Sequence, residues 1–278
     1  MPVRTRILSL ILFLFVTIEA GEKNASPFHF YWPAESALLG VGISGGLLGK
    51  ERLGSMLPAD SNDLHREDLA IWDRFAAGGY NHTADVTSDY LVYSVGGSML
   101  FADIWMAGKS GETWRPVLED LLLLGEAFTW SAALNLNVRA LRVHPRPLTY
   151  AGSGAPVSER TVPEAAGSFY SGHASAAFLG AAYLATVYPL RHPEFHQRGL
   201  LWGGALAAAA TVAGLRVAAG KHFPSDVVVG AAVGTLLGWG IPRLHWRAPK
   251  TGMSGSLGLY PLSGGIGLRI AMAIPGGI

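Results

Sequence analysis

The sequence predicts an all-α protein, a helical bundle of five to six core helices with a short β-hairpin-like tail at its C-terminus. Three observations predict it. Apolar stretches of helix length recur at 88–107, 117–138, 172–188, 199–218 and 226–242, and the breaks between them carry Gly, Pro and charge. Half of the 278 residues are hydrophobic and only 15% are charged, so these stretches have little polar face to offer water. Ala and Gly dominate the last three stretches, the composition of helices that pack closely.

Taken in order, "MPVRTR" is a short basic start, "ILSLILFLFVTI" is an unbroken apolar run, and "EAGEKNA" is small and polar. That layout predicts an exported chain with residues 1–20 as a signal peptide or N-terminal anchor; the run is short for a membrane span of about 20 residues. Residues 21–87 read as a helical lead-in. Within it, 34–49 is Gly-rich and apolar, one helix, and 61–79 is amphipathic and polar enough for water. The helical core is placed at 88–245. The tail, 246–278, alternates apolar residues around "SGG" and is read as a hairpin.

Net charge is +1, so no basic field points to nucleic acid. The chain has no Cys, which excludes disulfide staples, thiolate metal sites and a Cys nucleophile. The near charge-free stretches favour a membrane-embedded bundle. The loops "GKSGETWRP", "YPLRHPEFHQRG" and "PRLHWRAPK" each hold two or more Lys/Arg and are expected inside. The 139–167 loop and the 216–226 turn then lie together outside. A soluble exported helical domain is the alternative. The acids Asp103, Glu119, Asp120 and Glu126 are read as solvated or internally paired rather than as a metal set.

Three clusters stand at helix mouths. Arg139 and, after six intervening residues, Arg146 follow stretch 117–138. Ser171, Gly172 and His173 open the next helix. Arg216, His222 and Asp226 close one apolar stretch and open another. Antiparallel helices bring all three to one end of a bundle. Three Arg forks suit phosphate oxygens, and the free N–H groups at a helix start favour anions. An imidazole backed by a carboxylate can attack covalently, so His222 is assigned as nucleophile with Asp226 as its orienter. His173 can protonate a leaving oxygen. Arg142 and His144 are read as loop residues, and Lys221 as facing water.

These spacings resemble the type 2 phosphatidic acid phosphatase and vanadium haloperoxidase superfamily. Its signature is Lys-x6-Arg-Pro, Pro-Ser-Gly-His and Ser-Arg-x5-His-x3-Asp. The chain reads Arg139-x6-Arg146-Pro147, Tyr170-Ser171-Gly172-His173 and Leu215-Arg216-x5-His222-x3-Asp226. Arg139, Tyr170 and Leu215 therefore depart from the pattern, and no bond-making group is lost. The resemblance covers about 88–243. It implies a phosphohistidine on His222 with Asp226 behind it, and His173 as general acid and then general base. Arg139, Arg146, Ser171, Gly172 and Arg216 would hold the phosphate, and neither metal nor cofactor is implied. The expected function is hydrolysis of a lipid phosphate or diphosphate, from a phospholipid or a prenyl phosphate, at the outer face of a membrane. A soluble exported acid phosphatase, a vanadate-dependent haloperoxidase and a non-catalytic headgroup binder are the alternatives.

Overall fold

The computed structural model describes residues 26–94, Gly97 and 114–247, together with the backbone of 255–262 and 265–272. The expected signal or anchor at 1–20, Asp103 and the C-terminal half of the 88–107 stretch lie outside the described residues.

Helix α1 (Trp32–Gly54) has Pro33 in its first turn, and the Glu35 carboxylate accepts the Tyr31 amide at 3.2 Å. The amphipathic stretch that follows forms three short 3-10 turns, Ser61–Asp63, Arg66–Asp68 and Arg74–Ala76, rather than a helix. Helix α2 is described over 82–94. Helix α3 (Arg115–Arg139) is followed by a long loop holding the one-turn α4 (Val157–Arg160). Then come α5 (Gly172–Arg191), α6 (Arg198–Ala218) and α7 (Pro224–His245). The tail is an antiparallel hairpin of β1 (Gly255–Leu262) and β2 (Gly265–Met272), in the register Gly255 opposite Met272 and Leu262 opposite Gly265. The architecture is the all-α bundle expected; α3, α5, α6 and α7 begin and end close to the predicted bounds, whereas α2 begins at 82, ahead of the predicted 88.

Helix α5 is the axis of the bundle. Its Ala174, Ala177, Leu179, Ala182 and Tyr183 are almost fully buried. Along α7, Gly230, Gly234 and Gly238 repeat every fourth residue on the face turned to α5. A Cβ on Gly230 would lie 2.5 Å from the Ser171 carbonyl oxygen, and one on Gly234 or Gly238 would run into the carbonyl of Ser175 or Leu179. The backbones touch only because these side chains are missing. Helix α1 approaches α3 in the same way, through Gly42 against Thr129 and Gly49 against Asn137. Helix α2 lays Leu91 and Val92 on Ala177, Ala181, Ala209 and Val212 of α5 and α6. Far from the loops, Phe28, Leu123, Leu124, Leu179, Tyr183 and Ile241 form the main core.

The acids Glu119 and Asp120 are internally paired, as expected. Asp120 takes a forked contact from Arg191 at 2.6–2.7 Å, and Glu119 pairs with Arg115 at 2.9 Å. Two helices among the described residues are long and apolar enough to cross a membrane. These are α6 and α7, 21 and 22 residues long, of which only 22% and 33% of the apolar window is buried within the protein. Helix α5, the other near charge-free stretch, buries most of its apolar surface inside the bundle.

The polypeptide alternates in direction. Helices α1, α3 and α6 end, and α2, α5 and α7 begin, at one end of the bundle, where the 140–171 loop and the 219–223 turn also lie. A further tie is made there by Asp73. Its carboxylate accepts the Ser225 amide at 3.0 Å and the Ser225 hydroxyl at 2.7 Å, capping α7 from the 3-10 region.

Candidate active site

All three clusters meet at this end. His222 sits in the turn between α6 and α7 and is 2% exposed. Its Nδ1 lies 3.0 Å from the carbonyl oxygen of Ser168, while Asp226 Oδ2 is 3.6 Å away. Asp226 lies behind His222 as expected, but at longer range than the Ser168 carbonyl. The shorter contact is the Ser168 carbonyl, which can only accept, so it places the proton on Nδ1 and leaves Nε2 as the basic nitrogen. Burial in a site that also holds Arg146 and Arg216 pushes the His222 imidazole down to about 3, against its contacts with Asp226.

Asp226 works one step further back. Fully buried in the first turn of α7, its Oδ2 accepts the Ser168 hydroxyl at 2.6 Å and the Phe223 amide at 2.8 Å. The carboxylate therefore fixes both the residue that holds His222 and the turn that carries it. Its Oδ1 is approached at 3.3 Å by Nε2 of His144, which packs edge-on to Phe223. Asp226 draws the His144 imidazole up from its ordinary value against the effect of burial.

The guanidiniums divide into two kinds. Arg139 is largely committed to structure, with Nε donating to the Gly167 carbonyl at 2.9 Å and Nη2 to that of Glu164 at 3.0 Å. Arg146 and Arg216 each keep a buried Nε–H with no acceptor among the described residues. Arg146 is lowered from its ordinary value by burial first and then by Arg139 and Arg216. Three like charges converging around unanswered donors form a cradle that an oxyanion would satisfy.

Ser171 caps α5, its Oγ accepting the Ala174 amide at 3.3 Å, and its own amide donates to the Asp226 carbonyl at 3.1 Å. Gly172 passes Asn135 so closely that a Cβ would sit 2.9 Å from Asn135 Oδ1. His173, half-exposed, places Nε2 2.8 Å from Oδ1 of Asp89 on α2. The same Oδ1 lies 3.1 Å from Arg216 Nη1, which also donates to Asp85 at 2.7 Å and Ser88 at 2.9 Å. Lys221, expected to face water, is 6% exposed and bound to Glu159 at 2.5 Å and Asp85 at 3.0 Å.

Residues 120–250 match the family model of the PAP2 superfamily. Over these residues the chain resembles the PAP2 superfamily. Two solved structures are similar to the chain. LpxE of Aquifex aeolicus is 24% identical, with a TM-score of 0.41 over 62% of this chain and 94% of that one. The first transmembrane PAP2-type phosphatidylglycerolphosphate phosphatase from Bacillus subtilis is 20% identical, with a TM-score of 0.40 over 77% of this chain and 92% of that one. No curated protein matches.

Every residue predicted for the PAP2 site lies at this one end of the bundle. Sequence reasoning missed the partners: Ser168, His144, Asp85, Ser88 and Asp89. Ser168 is three residues before Ser171 and carries no signature of its own. Asp85 and Asp89, spaced four apart at the start of an apolar stretch, were the one available signal, because two carboxylates on one helical face need cations opposite them.

Proposed function

We propose that this PAP2-like enzyme hydrolyses a lipid phosphate or diphosphate at the outer face of a membrane through a phosphohistidine on His222. The observation that carries this reading is the pair of buried, unanswered Nε–H donors of Arg146 and Arg216 beside an imidazole whose Nδ1 is tied to Ser168. The two guanidiniums, with the Ser171–Gly172 start of α5, would hold the phosphoryl oxygens. Nε2 of His222 attacks phosphorus, the ester P–O bond breaks, and His173 gives its proton to the departing alcohol or phosphate oxygen. His173 then takes a proton from water, which attacks the phosphohistidine. Inorganic phosphate leaves and His222 is restored. Arg139, in this reading, acts mainly by holding the 164–167 loop.

A lipid substrate is supported by the surroundings of His173. The imidazole lines a cavity of about 540 Å³ between α2, α3 and α5, together with Val92, Leu121, Leu124, Phe128 and Ala176. An apolar cleft beside the leaving-group acid suits a hydrocarbon chain. The exposed apolar surface of α6 and α7 supports placement in a bilayer.

The test is phosphate release by purified protein from short- and long-chain lipid phosphates and from soluble phosphomonoesters, with His222→Ala and His173→Ala alongside. The reading expects turnover of lipid phosphates and none in His222→Ala. Full turnover by His222→Ala would overturn the phosphohistidine. Equal turnover of soluble and lipid esters would overturn the lipid substrate.

A further inference from the structure

At the opposite end of α7, roughly 28 Å along the helix from Asp226, lies a second cluster of titratable groups that the phosphatase reading leaves unused. Glu35 of α1, Glu126 of α3 and His245 of α7 are all buried, and one ligand atom from each lies within 4.8 Å of the others. We propose that these three side chains hold one divalent transition-metal cation of the Zn2+ type, which clamps the three helices together.

Two independent features support a ligand here. The first is the imidazole. Nδ1 of His245 sits 2.8 Å from the Ile241 carbonyl, so its proton is on Nδ1 and Nε2 faces the acids. A metal-binding imidazole is normally held this way, its other nitrogen donating to a carbonyl or carboxylate. The second is Glu126. Its side chain is 7% exposed and accepts no hydrogen bond among the described residues. The nearest cationic group is His245 Nε2 at 3.7 Å, and that nitrogen lies closer, at 3.0 Å, to Glu35 Oε2. Even if Nε2 is protonated, its single hydrogen serves Glu35 and leaves Glu126 unsatisfied. Two buried carboxylates beside one imidazole carry net negative charge whichever way the imidazole titrates. A dication neutralises them and uses both faces at once.

The donor set, one nitrogen and carboxylate oxygens with no thiolate, fits Zn2+ and its neighbours better than a soft cation. Glu35 also receives the Tyr31 amide on Oε1, so its Oε2 is already aimed inward. The site is closed over by the N-terminal segment. There the His29 amide donates to the His245 carbonyl at 2.8 Å, and the Phe30 ring lies 5.5 Å from the imidazole.

The experiment uses the full chain in detergent, stripped with a chelator and titrated with Zn2+ alone. Binding is read by calorimetry and thermal midpoint, and the bound metal by X-ray absorption. One Zn2+ per chain is expected, with a raised midpoint and a shell of one imidazole nitrogen plus oxygens at about 2.0–2.2 Å. Glu126→Gln and His245→Asn are expected to weaken binding at least a hundredfold. Glu159→Gln, in the separate His82, Asp85 and Glu159 group, leaves it unchanged. Stripped Glu126→Gln melts no lower than the stripped parent, since it removes a buried charge. No binding, equal affinity in Glu126→Gln, or a shell of two or more imidazoles overturns the site. If neither variant folds, the absorption spectrum of the parent decides alone.

Discussion

His222 turns its Nδ1 toward the backbone carbonyl of Ser168 at 3.0 Å, and the Ser168 hydroxyl in turn donates to Asp226 at 2.6 Å. The carboxylate thus acts on the proposed nucleophile through Ser168 and the Phe223 amide as well as across the longer 3.6 Å contact with the imidazole. Ser168→Ala keeps the carbonyl and removes one bond to a buried charge, so kcat should fall by about tenfold. Asp226→Asn disturbs the Ser168 and Phe223 bonds together and should cost about a hundredfold. Both should still form a labelled phosphohistidine in a rapid-quench trap, more slowly, whereas His222→Ala forms none. Ser168→Ala with activity as low as Asp226→Asn would mean that the hydroxyl, not the carbonyl, sets the imidazole.

Asp89 bridges His173 and Arg216 with one oxygen, at 2.8 and 3.1 Å, and so stands where a bound anion would compete for the same cations. Asp89→Asn is expected to separate KM from kcat. Inorganic phosphate should inhibit several-fold more tightly, because a competing negative charge is gone. kcat should fall for esters with poor leaving groups, because the amide no longer favours a protonated His173, and stay near the parent value for a nitrophenyl ester that needs no proton. An unchanged phosphate Ki would show that Asp89 does not contest the anion site.

The bundle was legible in the sequence because each core helix is a long apolar run ended by Gly, Pro or charge. The bounds of α3, α5, α6 and α7 follow from those punctuation marks. The site was legible at Arg216, His222 and Asp226 for a related reason. So few charges occur in the apolar half of the chain that each one demands an account. What was not legible is what depends on loop path. Ser168 acts through its carbonyl, which every residue has, and Lys221 is buried because α4 and α2 bring Glu159 and Asp85 to it. The 61–79 stretch has helical amphipathicity, yet it breaks into turns that place Asp73 on the start of α7.

The pH dependence follows from the buried imidazole. The His222 value in the folded protein is lowered to about 3 from 6.5, so its neutral, nucleophilic form persists through pH 4–6. Single-turnover phosphohistidine formation should show no break near 6.5 attributable to His222. The associated stability runs in the same direction. It is present in full above about 6.5 and is lost as pH falls toward 3, since the unfolded chain takes up the proton that the folded site resists. His222→Asn should flatten the acid side of the stability curve. A parent whose phosphorylation rate drops with a midpoint at 6.5 would show a solvated nucleophile instead.

The contact between α5 and α7 gives the sharpest structural test. At Gly234 an added Cβ meets the Ser175 carbonyl oxygen and lies 2.9 Å from the Leu179 amide nitrogen, both rigid backbone atoms of the central helix. Neither can move without shifting α5, which carries His173 at its start. Gly234→Ala should therefore destabilise by about 1–3 kcal/mol, read as a lower thermal midpoint in detergent, despite the better helix propensity of Ala. Gly203 on α6 meets nothing within 4 Å, so Gly203→Ala should be neutral or stabilise by up to about 1 kcal/mol. Activity should follow the same order, with Gly234→Ala losing turnover because Ser171, Gly172 and His173 move with α5 while His222 stays with α7. If both variants melt at the parental temperature, the two helices are not in backbone contact and the geometry of the site would have to be redrawn.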